Sequence, residues 1–104
     1  MNLQGIDIPQ HAISEFCAYR DISKLAFCGS ILRPDFRSDS DIDVLIEFLP
    51  GKGPGLLGLA RMERELSALL GGRKIDLRTP NDLSRYFRQD VISSALVQYP
   101  TDRS

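Results

Sequence analysis

Eight residues, Asp41 to Phe48, alternate closely enough to define both an element and a surface. On a β-strand successive side chains point to opposite faces, so Ile42, Val44, Ile46 and Phe48 share one face while Asp41, Asp43, Leu45 and Glu47 share the other. Such a strand needs an apolar cover on one side. On the other side Asp41 and Asp43 set two carboxylates about 7 Å apart along the chain. Burying like charges at that distance is unfavourable without a cation between them. Upstream, Gly29-Ser30 ends a second apolar run, Leu25-Ala26-Phe27-Cys28, and ten residues separate Ser30 from Asp41. Lys24 to Cys28 is apolar on both faces, as a strand in the middle of a sheet would be.

The remaining chain supplies the cover. Residues 1 to 9 are weakly patterned and read as a lead-in arm ending at Pro9. Between Gln10 and Arg20, Ile13, Phe16, Cys17 and Arg20 recur at helical spacing, and His11 near the start reads as a solvated or capping residue. Ile31-Leu32-Arg33 begins a short helix that Pro34 interrupts. Pro50 to Gly55 is a loop, and it lacks the Gly-Lys-Ser/Thr ending that a phosphate loop requires. Leu56 to Leu70 is an amphipathic helix with Leu59, Met62, Leu66 and Leu69 in one stripe, stopped by Gly71-Gly72. Lys74 to Thr79 is a third strand, ended by Pro80. Asn81 to about Leu96 reads as helical, in one or two pieces, with Leu83, Phe87, Val91 and Ala95 as its packing face; Tyr99-Pro100 onward reads as a polar tail. The expected fold class is α+β, an α/β two-layer arrangement in which a small mixed sheet carries helices on one side. The 104 residues are expected to form one domain.

Composition narrows the function. A net charge of -1 leaves no global basic field, so direct binding of nucleic acid is not expected. No apolar run approaches the ~20 residues of a membrane span. The N-terminus has no basic segment followed by an apolar core, so no signal peptide is read there and a cytoplasmic protein is expected. Cys17 and Cys28 lack metal-ligand spacing and read as buried reduced thiols.

The chemistry concentrates around the carboxylates. Two hard carboxylates converging on one point suit Mg²⁺, which is shared with phosphate oxygens and water. A glycine at a strand end lets a phosphate approach the backbone, and Ser30 adds a hydroxyl donor. A third carboxylate, Asp76, lies between Ile75 and Leu77 in a half-buried strand and needs a partner there. If that strand lies beside Asp41 to Phe48, three aspartates converge in the manner of two-metal phosphoryl transfer. The segment from Asp39 to Asp43 also has the start of a calcium loop. Val44 and Pro50 stand where that loop needs its glycine and its glutamate, which excludes it.

Gly29-Ser30, ten residues, then Asp41-Ile42-Asp43 resembles the signature of the DNA-polymerase-beta-like nucleotidyltransferase superfamily. Over roughly residues 12 to 98 the chain is similar to the minimal nucleotidyltransferase (MNT) antitoxins. The resemblance implies that Asp41, Asp43 and Asp76 are the catalytic, metal-binding carboxylates. It further implies that Gly29 and Ser30 hold the nucleotide triphosphate, with Arg33 as a basic residue of the same turn. Ile31 and Pro34 depart from the pattern, standing where members often carry an arginine and a glycine.

The implied function is transfer of AMP from ATP, with Mg²⁺ as cofactor, to a tyrosine of a helical HEPN-domain ribonuclease toxin. A non-catalytic antitoxin that neutralises by binding alone is the alternative. Transfer to a small molecule such as an aminoglycoside is less favoured, because those enzymes usually add a second domain. The sequence does not mark which base is used, or the oligomeric state.

Overall fold

The computed structural model describes residues 2–37, 39–82 and 88–100. The expected arm is instead a small hairpin, β1 (Asn2–Leu3) and β2 (Ile6–Asp7), paired antiparallel. Gln4 and Gly5 turn it with positive φ, and the Asn2 side chain accepts a hydrogen bond from the Gly5 amide at 3.1 Å. The hairpin is tied down by burial, since Ile6 and Ile8 both enter the core. Leu3, Ile6 and Ile8, spread over this stretch, are too sparse to signal it.

Helix α1 (Gln10–Tyr19) follows and buries Ile13 and Cys17, as its periodicity predicts. It leads into β3 (Ile22–Cys28), which ends in a 3-10 turn over Gly29–Leu32. After a loop come β4 (Ile42–Phe48), helix α2 (Leu56–Leu69) and β5 (Ile75–Arg78). A second 3-10 turn, Pro80–Asp82, precedes helix α3 (Arg88–Ser94) and strand β6 (Leu96–Tyr99). Of the expected packing face of the last helix, Leu83 and Phe87 lie outside the described residues.

The four long-range strands form one mixed sheet in the order β5-β4-β3-β6. Neighbours β3/β4 and β3/β6 are antiparallel, while β4/β5 is parallel. A parallel neighbour needs a crossover, and α2 supplies it. Ile42, Val44 and Ile46 of β4 join Phe27 of β3 in a core closed by Ile13 and Cys17 of α1 and Leu66 of α2. On the opposite face Ala26 and Leu45, register partners, are also buried.

Strand β6 corrects the expectation that residues near 96 finish a helix and that Tyr99 opens a tail. Val97 pairs with Ala26 and Tyr99 with Leu25. A four-residue run is too short to be read by period, and its strand state comes from the open edge of β3. Gln98 of that strand is buried, and its side-chain oxygen accepts a hydrogen bond from Gln10 Nε2 at 3.1 Å. Both cysteines are buried free thiols, and burial pushes Cys17 up to about 12. Among the described residues no helix is long and apolar enough to cross a membrane.

Candidate active site

Three strand ends meet at one end of the sheet. β3 runs antiparallel to β4, so its last residue, Cys28, pairs with Asp43 near the start of β4. Parallel pairing sets Asp43 directly beside Asp76 of β5. Adjacent strands lie about 4.8 Å apart, so these two carboxylates project side by side from the same face. Asp41, two residues before Asp43, falls on that face too.

The fit between the turn and the carboxylate is tight. Gly29 has φ +77°, and a Cβ placed on it would come within 2.2 Å of Asp43 Oδ2. Only glycine adopts that backbone freely and leaves the carboxylate its room. Ser30 is half-buried beside it and its carbonyl accepts the Arg33 amide at 3.0 Å, closing the turn. Ile31, the first departure from the family pattern, is fully buried in the core and anchors the turn from beneath. Pro34, the second, is exposed.

Charge is arranged unevenly over the three aspartates. Arg78 donates from Nη2 to Asp76 Oδ2 at 2.9 Å, and Lys74 Nζ lies 3.8 Å from Asp41 Oδ2. Asp43, between them, has no ion-pair partner among the described residues. Burial first, then the negative charge of Asp76, raises the Asp43 carboxyl above its ordinary range; Arg78 opposes this and Asp41 adds to it. As the side chains stand, no three candidate donors among the described residues enclose a common point. Arg33, expected to neutralise phosphate charge, lies 3.8 Å from Asp35 on an exposed stretch.

Several contributors escaped sequence reasoning. Arg73, between α2 and β5, donates to the carbonyls of Arg37 at 2.9 Å and Ser40 at 3.2 Å. Its guanidinium also lies 4.8 Å over the Phe36 ring, so one side chain holds the loop joining the Gly-Ser turn to the Asp pair. No local pattern marks it. Arg78 was legible in principle, because two residues after Asp76 on a strand is the same face. A cleft of about 410 Å³ opens beside the turn, lined by Cys28, Gly29, Leu32 and Arg33 on one side and Asp90, Val91 and Ser94 of α3 on the other. Burial, then the charge of Asp43, pushes the Cys28 thiol to about 11, so it stays protonated and unreactive at neutral pH.

The nucleotidyltransferase domain family model matches residues 11–100, which span all of these strands. The chain belongs to that family. Two proteins of Methanocaldococcus jannaschii, each named a "putative protein adenylyltransferase", are similar to this nucleotidyltransferase. One is 32% identical over 75 residues, covering 72% of the chain and 77% of the relative. The other is 34% identical over 76 residues, covering 73% and 74%. A solved structure described as a "putative minimal nucleotidyltransferase" shares 31% identity and a TM-score of 0.69, covering 84% of this chain and 86% of that one. A chain from the crystal structure of a toxin-antitoxin with AMP-PNP has the same fold, with a TM-score of 0.70 at 14% identity, covering 90% and 75%. The nucleotidyltransferase is thus built on the minimal form of the fold, with its α+β mixed sheet as the sequence predicts.

The donor set of this nucleotidyltransferase suits a divalent ion. Asp41, Asp43 and Asp76 offer hard carboxylate oxygens, and the absence of a Cβ at Gly29 lets the Asp43 carboxylate stand against the turn with Oδ2 unobstructed by a side chain there.

Proposed function

We propose that this nucleotidyltransferase is a Mg²⁺-dependent protein adenylyltransferase that serves as the antitoxin of a toxin–antitoxin pair in the cytoplasm. It would move AMP from ATP to a tyrosine hydroxyl of a HEPN-domain ribonuclease toxin, with residues 1–104 acting as a single minimal catalytic domain. The observation that carries the reading is the register of Asp43 beside Asp76, with Gly29 fitted against Asp43. The names of the two archaeal relatives support adenylyl transfer to a protein, and the shared fold of the AMP-PNP toxin-antitoxin supports the partner class. The HEPN ribonuclease and its tyrosine rest on the resemblance of the Gly-Ser and Asp-x-Asp motifs.

Asp41 and Asp43 would hold the ion, with Asp76 completing the set. Bound there, Mg²⁺ would offset the charge of the triphosphate and of the oxygen that attacks it. The Gly29 turn admits the phosphates close to the backbone, and the Ser30 hydroxyl donates to them. Arg33 lines the adjoining cleft and would exchange its weak, exposed pairing with Asp35 for a phosphate oxygen. Asp76 would orient the acceptor hydroxyl and take its proton through Oδ1; as the side chains stand, its Oδ2 accepts from Arg78.

A second reading, neutralisation by binding alone, draws on the apolar side chains that α1 and α2 leave in solvent. Tyr19 is 82% exposed, Leu56 85% and Leu57 87%. One experiment separates the two. With labelled ATP, Mg²⁺ and the neighbouring toxin, the wild type should label the toxin and Asp43→Asn should not. Equal labelling would refute the enzyme reading, and full neutralisation by an unlabelled Asp43→Asn complex would favour binding alone.

A further inference from the structure

Lys74, just before β5, alternates with Asp76 and Arg78 on it, so period two brings all three toward the face that carries Asp41 and Asp43. The row therefore reads cation, anion, cation beside anion, anion. Of the two cations Arg78 is the better placed. Its Nη2 is 2.9 Å from Asp76 Oδ2, within ordinary charge-assisted hydrogen-bond range. Lys74 reaches Asp41 only at 3.8 Å, from a side chain 79% exposed.

We propose that Arg78 is the resident counter-cation of the aspartate site, holding Asp76 by its guanidinium and competing with a divalent metal ion for that carboxylate. The inference rests on the reading of the three aspartates as a metal site. β5 is an edge strand, and the Arg78–Asp76 pair is half-exposed, so its contribution to folding stability is small. Its effect on a second cation is larger. A fixed positive charge one hydrogen bond away from a ligand oxygen repels an incoming divalent ion and also occupies one of its donors. Arg78 thus lets Asp43 and Asp76 sit adjacent in register before an ion is bound, and it lowers the affinity for the ion that replaces it. Because arginine does not lose its proton, this competition persists at every working pH.

The test is Mn²⁺ titration of the full-length protein, followed by the electron paramagnetic resonance signal of the free ion. Wild type, Arg78→Gln, Arg78→Lys and Asp43→Asn are compared, with thermal melts run in parallel. Arg78→Gln should bind Mn²⁺ about tenfold more tightly than wild type, Arg78→Lys should stay near wild type, and the melts of the metal-free proteins should lie close together. A merely structural ion pair would move the melts and leave Mn²⁺ affinity alone. If Asp43→Asn abolishes binding while Arg78→Gln binds as wild type or more weakly, the role of Arg78 is overturned and the metal site stands. If neither wild type nor Arg78→Gln binds Mn²⁺, the metal reading fails and the proposal falls with it. Should Arg78→Gln not fold, wild type against Arg78→Lys still decides. Lysine keeps the charge and loses the planar fork, so an Arg78→Lys affinity changed tenfold or more overturns the counter-cation role.

Discussion

Adding one methyl group at Gly29 should disable the site far more than it destabilises the fold. In Gly29→Ala the backbone stays at φ +77°, where an L-residue costs about 1–2 kcal/mol. The new Cβ also meets Asp43 Oδ2 at 2.2 Å, roughly 1 Å inside ordinary contact, so the carboxylate must swing away or the turn must shift. A displacement of about 1 Å at a reacting group can cost ~10²-fold in rate, and that is the expected loss in kcat/KM. At about 4–8 °C per kcal/mol for a domain this size, the strain lowers Tm by roughly 5–15 °C. Gly71→Ala is the matched control, because Gly71 also has φ +77° but a Cβ there meets nothing within 4 Å. Both variants should melt earlier by similar amounts, and only Gly29→Ala should lose nucleotide transfer, assayed with labelled ATP well below either Tm. Activity within about threefold of wild type for Gly29→Ala, or an equal loss in Gly71→Ala, would refute the argument from contact.

Two other perturbations address the neighbouring groups. Arg73→Ala should raise the KM for ATP about tenfold, because it frees the loop that carries Arg33, and Arg73→Lys should not restore it, lacking the planar guanidinium that lies over the Phe36 ring while Nη2 reaches both carbonyls; an unchanged KM would mean the loop holds itself. Burial and like charge raise the Asp43 carboxyl in the fold, so its ionised form opposes folding at neutral pH and stability is regained as pH falls through the raised value. In EDTA at pH 7, Asp43→Asn should therefore melt above wild type, with the gap narrowing at pH 5; a variant that melts lower at pH 7 would contradict this.

The aspartates were legible because their pattern is local. Period two in Asp41 to Phe48 and in Lys74 to Thr79 assigns each carboxylate a face, and helical spacing over residues 10–20 and 56–70 marks the two covering helices. Gly29 could be singled out from its place at a strand end. Sequence could not show that its α-hydrogen faces Asp43, because that contact arises from Cys28 pairing with Asp43 across two strands. Short elements also stayed hidden. The hairpin of Asn2–Asp7 and strand β6 are stable through what they dock on, Ile6 and Ile8 in the core and the free edge of β3.

By itself, then, the sequence determined which residues could form strands and helices and which faces carry charge. Tertiary structure decided which strands are neighbours and in what register. Face assignment follows from backbone geometry repeated every two or 3.6 residues, whereas register depends on how far α2 carries the chain before β5 begins. That crossover puts Asp76 beside Asp43, and it starts β5 where Arg73 can reach the loop between the turn and the Asp pair.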